Sequence, residues 1–218
     1  MMRKLLQKEL KLGASPLSYV FIAFGLMTLI PGYPISMGAF FVCLGIFQTV
    51  RQYAESNDIL YTALLPVAKR DVVRSKYAFA LLIEGCGFLL MAAMAVLRMT
   101  ALADKPPYVN NVMMPANPAF LGLVLLIFGS FNAVFLGGFF KTAYACTKPF
   151  FGFAAVGLLL VGLGEALGHI PGLELLHSIR RADLGAQLGI LAGCAALFAL
   201  LTCLSERRAI RRFEQIDL

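Results

Sequence analysis

The sequence holds no tryptophan and only two histidines, and charged residues make up 14% of its 218 positions. Soluble domains carry about 25% charge, so an ordinary water-facing surface cannot be built from this chain. Its five cysteines (Cys43, Cys86, Cys146, Cys194 and Cys203) are scattered and lie mostly inside apolar runs. That pattern excludes a secreted disulfide framework, and no CxxC pair offers itself to zinc. No extramembrane stretch is long enough to fold by itself. The longest, Arg98–Ala119, is broken by Pro106, Pro107, Pro115 and Pro118 and reads as an irregular loop. What remains is apolar: 60% of residues are hydrophobic and the mean hydropathy is +0.80. The class is an all-α integral membrane protein.

Catalytic signatures are also missing. There is no HExxH, no GxSxG, no paired glutamates on a span and no Asp-rich lipid-transferase motif. Glu174-x-x-His177 has the spacing of some metal-binding helices, but such sites need further carboxylates on facing helices. Gly137-Gly138-Phe139-Phe140-Lys141-Thr142 lacks the glycine before lysine that a phosphate loop needs, and it ends a span rather than following a strand. No catalytic, cofactor or metal residue is assigned, and the chain reads as a non-enzyme.

Crossing about 30 Å of hydrocarbon takes about 20 apolar helical residues. Six spans are expected, over about 16–31, 35–51, 73–97, 119–140, 149–167 and 184–204. The first two are short and separated by Pro31-Gly32-Tyr33-Pro34, a turn through which no helix runs, so a re-entrant hairpin fits nearly as well. With both termini cytoplasmic, most lysines and arginines fall inside, and Arg98, Lys105, Arg180 and Arg181 are the exceptions. This agrees with the positive-inside rule. The net charge of +7 then orients the chain against anionic lipid; it is not a footprint for nucleic acid.

Residues 1–15 should form an amphipathic interfacial helix, with Lys4, Lys8 and Lys11 toward headgroups and Leu5, Leu6, Leu10 and Leu12 toward acyl chains. The tail, 205–218, carries Arg207, Arg208, Arg211 and Arg212 at helical spacing. Leu173, Leu176 and Ile179 suggest a short outer helix. Glu84 is the one charged residue deep in a span, which marks it as facing protein, water or a pathway, with Asn132 or Ser130 as partners. Gly185, Gly189 and Gly193 on the last span, and Gly164 and Gly168 on the fifth, have the spacing that lets helices approach closely.

The most informative stretch is Gln52–Lys76. Ile59, Leu60, Leu64 and Leu65 give a short amphipathic helix stopped by Pro66, and Lys69, Arg70 and Asp71 begin a second helix that runs into the third span. Leu65-Pro66-Val67-Ala68-Lys69-Arg70-Asp71-Val72-Val73-x-x-Lys76-Tyr77 resembles the "LPvsRkdiv..Ky" signature of ABC-2-type transporter permeases, with Ala68 in place of the usual serine. The match covers about 13 residues, and the layout of helices over the whole chain is similar to the small six-span bacterial group of that family.

The resemblance implies an exporter subunit of the bacterial cytoplasmic membrane that moves hydrophobic or amphipathic cargo such as peptide, lipid or drug. Two permeases, identical or paralogous, would pair over two separate ABC ATPase subunits that hold the ATP and magnesium. The coupling helix would be 55–65, with Leu60, Tyr61 and Leu64 as its apolar contact and Glu55, Asp58, Pro66, Lys69, Arg70 and Asp71 around it. A rigid helix gripped between two spans can convert closure of an ATPase into tilting of those spans. The alternative is a secondary transporter that uses Glu84 as a proton site.

Overall fold

A computed structural model describes residues 2–64, 66–109 and 111–215, with every side chain among them except those of Leu60 and Ala63. All regular structure among the described residues is helical. Helix α1 (Met2–Gly13) and α2 (Pro16–Leu29) meet at a bend of 97°. Ala14 and Ser15 break the helix, and Pro16 opens the next one, where its missing N–H costs nothing. The second half of α2 is wound as a 3₁₀ helix, Phe21–Leu29. Then follow α3 (Met37–Glu55), α4 (Asp58–Ala63), α5 (Lys69–Thr100), the single turn α6 (Pro106–Val109), α7 (Pro118–Phe139), α8 (Thr147–Leu167) and α9 (Leu184–Glu214).

Among the described residues four helices (α5, α7, α8, and α9 with the turn before it) are long and apolar enough to cross a membrane, and the bent α1–α2 pair makes a fifth if it counts as one span. Helix α3, expected to be the second span, falls short by that standard because Gln48, Thr49, Arg51 and Gln52 dilute its last turns. The helix expected at 173–179 is a single 3₁₀ turn, Glu174–His177.

Helix α7 is the axis of the bundle: 72% of its apolar window is buried, against 11% for α9 and 22% for α8. Phenylalanines fill the space around it. Phe131 meets Phe153 of α8 edge-on at 5.0 Å, and Phe47 of α3 stacks on Phe150 at 4.0 Å. Such offset and edge contacts suit the ring quadrupoles. The outward faces of α8 and α9 carry Leu158, Leu159, Leu163, Leu188, Leu197 and Leu200, an apolar girdle that fits lipid better than water.

The glycine stripes behave differently from each other. A Cβ on Gly164 would meet Leu123 at 2.3 Å, so α8 uses its glycine to touch α7. Gly185, Gly189 and Gly193 have nothing within 4 Å. The close approach of α9 to α7 is supplied from the other side, by Gly122 against Cys194 and Gly129 against Phe198.

The bundle has two ends. At one, Arg98 donates to the Thr28 carbonyl at 2.8 Å and lies over the Tyr108 ring, whose hydroxyl donates to the Leu29 carbonyl. Met114 N–H donates to Glu165 there, and Asn117 caps α7 while its amide donates to the Leu176 and Ser178 carbonyls. At the opposite end lie α1, α4, the segment between α7 and α8, and the basic end of α9, where Arg212 donates to the Gly137 carbonyl.

Candidate functional site

Helix α4 is built from the break that precedes it. Helix α3 ends at Glu55, Ser56 caps it by bonding back to Gln52, and Asn57 takes a left-handed conformation at φ 54° that turns the chain. Asparagine tolerates that region better than most residues. Glu55 therefore belongs to the last turn of α3, where it pairs with Arg51 at 2.7 Å in solvent. The helix expected over 55–65 is in fact the six residues Asp58–Ala63. Leu65 lies outside the described residues, as does the side chain of Leu60. Pro66 is exposed, and α5 begins at Lys69 with Asp71 N–H bonded back to the Ala68 carbonyl. Arg70 and Asp71 stand 4.0 Å apart at the start of α5.

The outer face of this region is apolar. Tyr61 is 67% exposed and Leu64 is 75% exposed, both large for side chains facing water. Its inner face is ionic. Asp58, read from the sequence as rim, points inward: its carboxylate takes Lys76 at 2.8 Å and also binds Lys8. Lys8, read as a headgroup lysine, instead reaches α4 and also donates to Thr62 at 2.9 Å. Lys76 donates to both oxygens of Glu9 at 3.2 Å and sits 3.3 Å above the centre of the Tyr53 ring. Glu9 is fully buried and Lys76 is 2% exposed.

Two cations and two carboxylates thus neutralise one another across α1, α4 and α5, beside the Tyr53 ring of α3. Buried charges persist only when so paired, because leaving one alone forfeits its hydration without return. Burial by itself would raise the Asp58 carboxyl, but Lys76 and Lys8 outweigh it and hold the group below its ordinary range. Glu9 lies in a π-turn, Glu9–Gly13. The close seat of α1 needs Gly13, where a Cβ would stand 2.8 Å from the Tyr53 ring and 2.9 Å from the Glu9 carboxylate.

A second polar cluster lies deeper in the bundle. Asn132 donates through its amide to Glu84 at 3.0 Å and to the Thr202 hydroxyl at 3.1 Å, joining α5, α7 and α9. It too stands in a π-turn, Phe131–Leu136, a distortion often found at functional positions. Its backbone carbonyl accepts from Ser205 at 2.6 Å, and Ser205 shares a 2.8 Å bond with the Tyr77 hydroxyl. Of the two partners expected for Glu84, Asn132 is the one that meets it. Ser130 bonds within its own helix, to the Ile127 carbonyl. Glu84 Oε1 and Asn132 Oδ1 are buried without a partner.

Sequence reasoning did not single out Glu9, Tyr53, Thr202 or Ser205, and noted Lys76 and Tyr77 only as the close of a motif. Among the described residues no group of three or more His, Cys, Asp or Glu side chains is placed to hold a metal ion.

A family model described as "ABC-2 family transporter protein" matches residues 4–212. Neither a protein of curated function nor a solved structure matches the chain. The matched region takes in the α4 region, both polar clusters and every long helix, and on it the chain belongs to the ABC-2 family of transporter permeases.

Proposed function

We propose that this chain is the membrane-spanning subunit of an ATP-driven exporter, worked by a separate ABC ATPase that grips α4. The observation that carries this reading is the two-faced α4. Tyr61 on its outer face and Leu64 just past its end are open to a partner, while its inner face is fixed by Asp58 to α5 and α1. An apolar centre with polar neighbours is the usual make-up of a specific protein contact. Here Glu55, Lys69, Arg70 and Asp71 supply the polar surround. A helix that was merely part of a basic loop would gain nothing from this inner anchoring.

Helices α2 and α3 are read as the first two of six spans. Helix α2 reaches one end of the bundle, where Thr28 and Leu29 accept from Arg98 and Tyr108, and α3 reaches the other, where Tyr53 covers Lys76. The end that holds α1, α4 and the arginines of α9 is read as cytoplasmic in a bacterial plasma membrane. A second copy of this chain, or a paralogue, would complete the pore, with two ATPases below. The apolar make-up of the bundle suits hydrophobic or amphipathic cargo, carried outward.

Reconstitution with the ATPase that copurifies with the chain tests the reading. Tyr61→Asp and Leu64→Asp should insert normally yet lose the stimulation of ATP hydrolysis that the wild-type permease gives. Full stimulation by both variants would defeat the reading.

A further inference from the structure

Lys76 and Tyr77 are consecutive residues on α5, so their side chains leave the helix about 100° apart. They enter different clusters. Lys76 is the hub of the ionic one, in contact with Glu9 of α1, Asp58 of α4 and the ring of Tyr53 on α3. Tyr77 is a hub of the deeper one. Its hydroxyl meets Ser205 of α9 at 2.8 Å and the Asn132 carbonyl of α7 at 3.5 Å, and its ring lies nearly parallel to Phe140 at 6.1 Å. Both side chains are all but excluded from solvent. One turn of one helix therefore touches α1, α3, α4, α7 and α9.

We propose that Lys76 and Tyr77 are the positioning residues that carry motion of α4 into the bundle: Lys76 fixes α4 and α1 to the foot of α5, and Tyr77 fixes that foot to α7 and α9. The inference rests on the reading of α4 as the ATPase contact. Stability alone does not account for the ionic hub, since apolar residues of the same volume commonly hold a buried site as well or better. What charges add is geometry. An apolar contact tolerates a slip of α4 along α5, whereas a slip here separates Asp58 from Lys76 and leaves buried charge unpaired. The four charges sum to zero only while α1, α4 and α5 keep their register, so the three move as one body. Arg51 and Glu55 form their own exposed pair on α3, and Arg74 pairs with Glu206 on α9 at 3.6 Å. Neither pair enters the hub. Tyr77 completes the path because Asn132, the residue whose carbonyl it faces, also holds Glu84 and Thr202.

The test uses the full permease in liposomes with its copurifying ATPase. Spin labels at Lys4 on α1 and at Ala63 on α4, which is not one of the residues assigned to the ATPase contact, report their separation with and without ATP and vanadate. The expected result is one narrow distance, the same in both nucleotide states, while the distance from Lys4 to a label on Leu188 of α9 changes. Lys76→Arg should keep this behaviour. Lys76→Met, together with a quadruple variant (Lys8→Met, Glu9→Gln, Asp58→Asn, Lys76→Met) that removes all four charges in balance and so guards against misfolding, should broaden the first distance. Both should lose ATPase stimulation while still binding the ATPase. Tyr77→Phe should keep the narrow first distance but abolish the ATP-dependent change of the second.

A wild-type first distance that shifts with nucleotide, or a quadruple variant that stimulates ATP hydrolysis as wild type does, would overturn the inference. Loss of function in the unlabelled Tyr61→Asp variant alongside full function in Lys76→Met would overturn the joint and leave the α4 reading standing. Full function in Tyr61→Asp would remove both.

Discussion

Glu9 and Lys76, 67 residues apart in sequence, meet through both carboxylate oxygens at 3.2 Å with almost no solvent at either side chain. Removing the cation leaves Glu9, among the described residues, with Lys8 as its ion-pair partner, at 3.5 Å. A buried pair broken from one side costs about 3–5 kcal/mol. Lys76→Leu should therefore lower the thermal midpoint of the detergent-solubilised protein sharply. Arg70→Leu, at an exposed position, should leave it within about 0.5 kcal/mol of wild type. Equal effects of the two would show that the buried pair does not form.

Asp58 gives a pH signature. Its carboxyl is held below the ordinary value of 3.8, with Lys76 and Lys8 outweighing the opposing effect of burial. A carboxylate lowered on folding stabilises the fold above its unfolded value and loses that contribution as pH falls through the folded one. Wild-type stability should then fall with acid below about pH 4. Asp58→Asn should start lower at neutral pH and show a shallower acid limb. Parallel pH curves for the two proteins would contradict the pairing.

The long apolar helices were legible in the sequence because their composition is unambiguous over twenty residues or more. The need of Glu84 for a polar neighbour was legible too, since a lone acid in a span must find one, but the sequence offered Ser130 as readily as Asn132. The ionic hub was harder to see. Glu9 lies four residues after Leu5 and three before Leu12, inside the leucine face of α1, and an acid there signals a buried cation elsewhere. Nothing in the sequence names that cation, because Lys76 reaches Glu9 only after α1 folds back across the foot of α5. Lys8 misleads for a related reason. Its spacing with Lys4 and Lys11 describes a helix on a membrane surface and is blind to α4 lying against it. The length of α4 was hidden too, because the break at Asn57 depends on one backbone angle.

Ala143, at φ 66°, and Asn57 are the non-glycine residues at positive φ among the described residues, and both line one cavity of about 180 Å³ beside Tyr53 and Ile59. Left-handed backbone costs an alanine about 1–2 kcal/mol, and a β-branched residue more. Ala143→Gly relieves that cost but loses a buried methyl worth about 0.8 kcal/mol and makes the unfolded chain freer by about 0.4–1 kcal/mol. The terms nearly cancel, so Ala143→Gly should unfold close to wild type. Ala143→Val meets the steric cost with no relief and should be destabilised by about 2 kcal/mol or more. Denaturant titration of the two variants separates them, and a Val variant as stable as the Gly variant would rule out the left-handed conformation.

Helix α2 lies so close to α3 that a Cβ at Gly38 would stand 2.8 Å from the Phe24 carbonyl oxygen, a backbone atom that cannot swing aside. Gly38→Ala should destabilise the protein by about 1–3 kcal/mol, as overpacking does. Gly189→Ala meets open space and should be neutral or stabilising, by up to about 1 kcal/mol of helix propensity. Thermal unfolding in detergent checks both, and a neutral Gly38→Ala would mean that α2 and α3 do not approach this closely.

Glu84 decides between an ATP-driven permease and a proton-coupled carrier. It is 1% exposed, and its side chain accepts from the Asn132 amide. In a permease worked from α4, Glu84 serves to hold α5, α7 and α9 together through Asn132 and Thr202. A glutamine can do the same, since it keeps an acceptor toward the Asn132 amide and places its own amide where Glu84 Oε1 now has no partner. Glu84→Gln should therefore transport cargo at a rate close to wild type in inverted vesicles supplied with ATP, with or without a proton gradient. Glu84→Leu removes the acceptor and leaves one N–H of the buried Asn132 amide unmatched, at about 1–3 kcal/mol, while the other still meets Thr202. It should lower the thermal midpoint before it lowers transport. A carrier that loads a proton at this carboxyl would show the opposite order, with Glu84→Gln stable but inactive and Glu84→Asp retaining transport. Transport abolished in Glu84→Gln, with ATPase stimulation through Tyr61 intact, would place a proton step inside the export cycle.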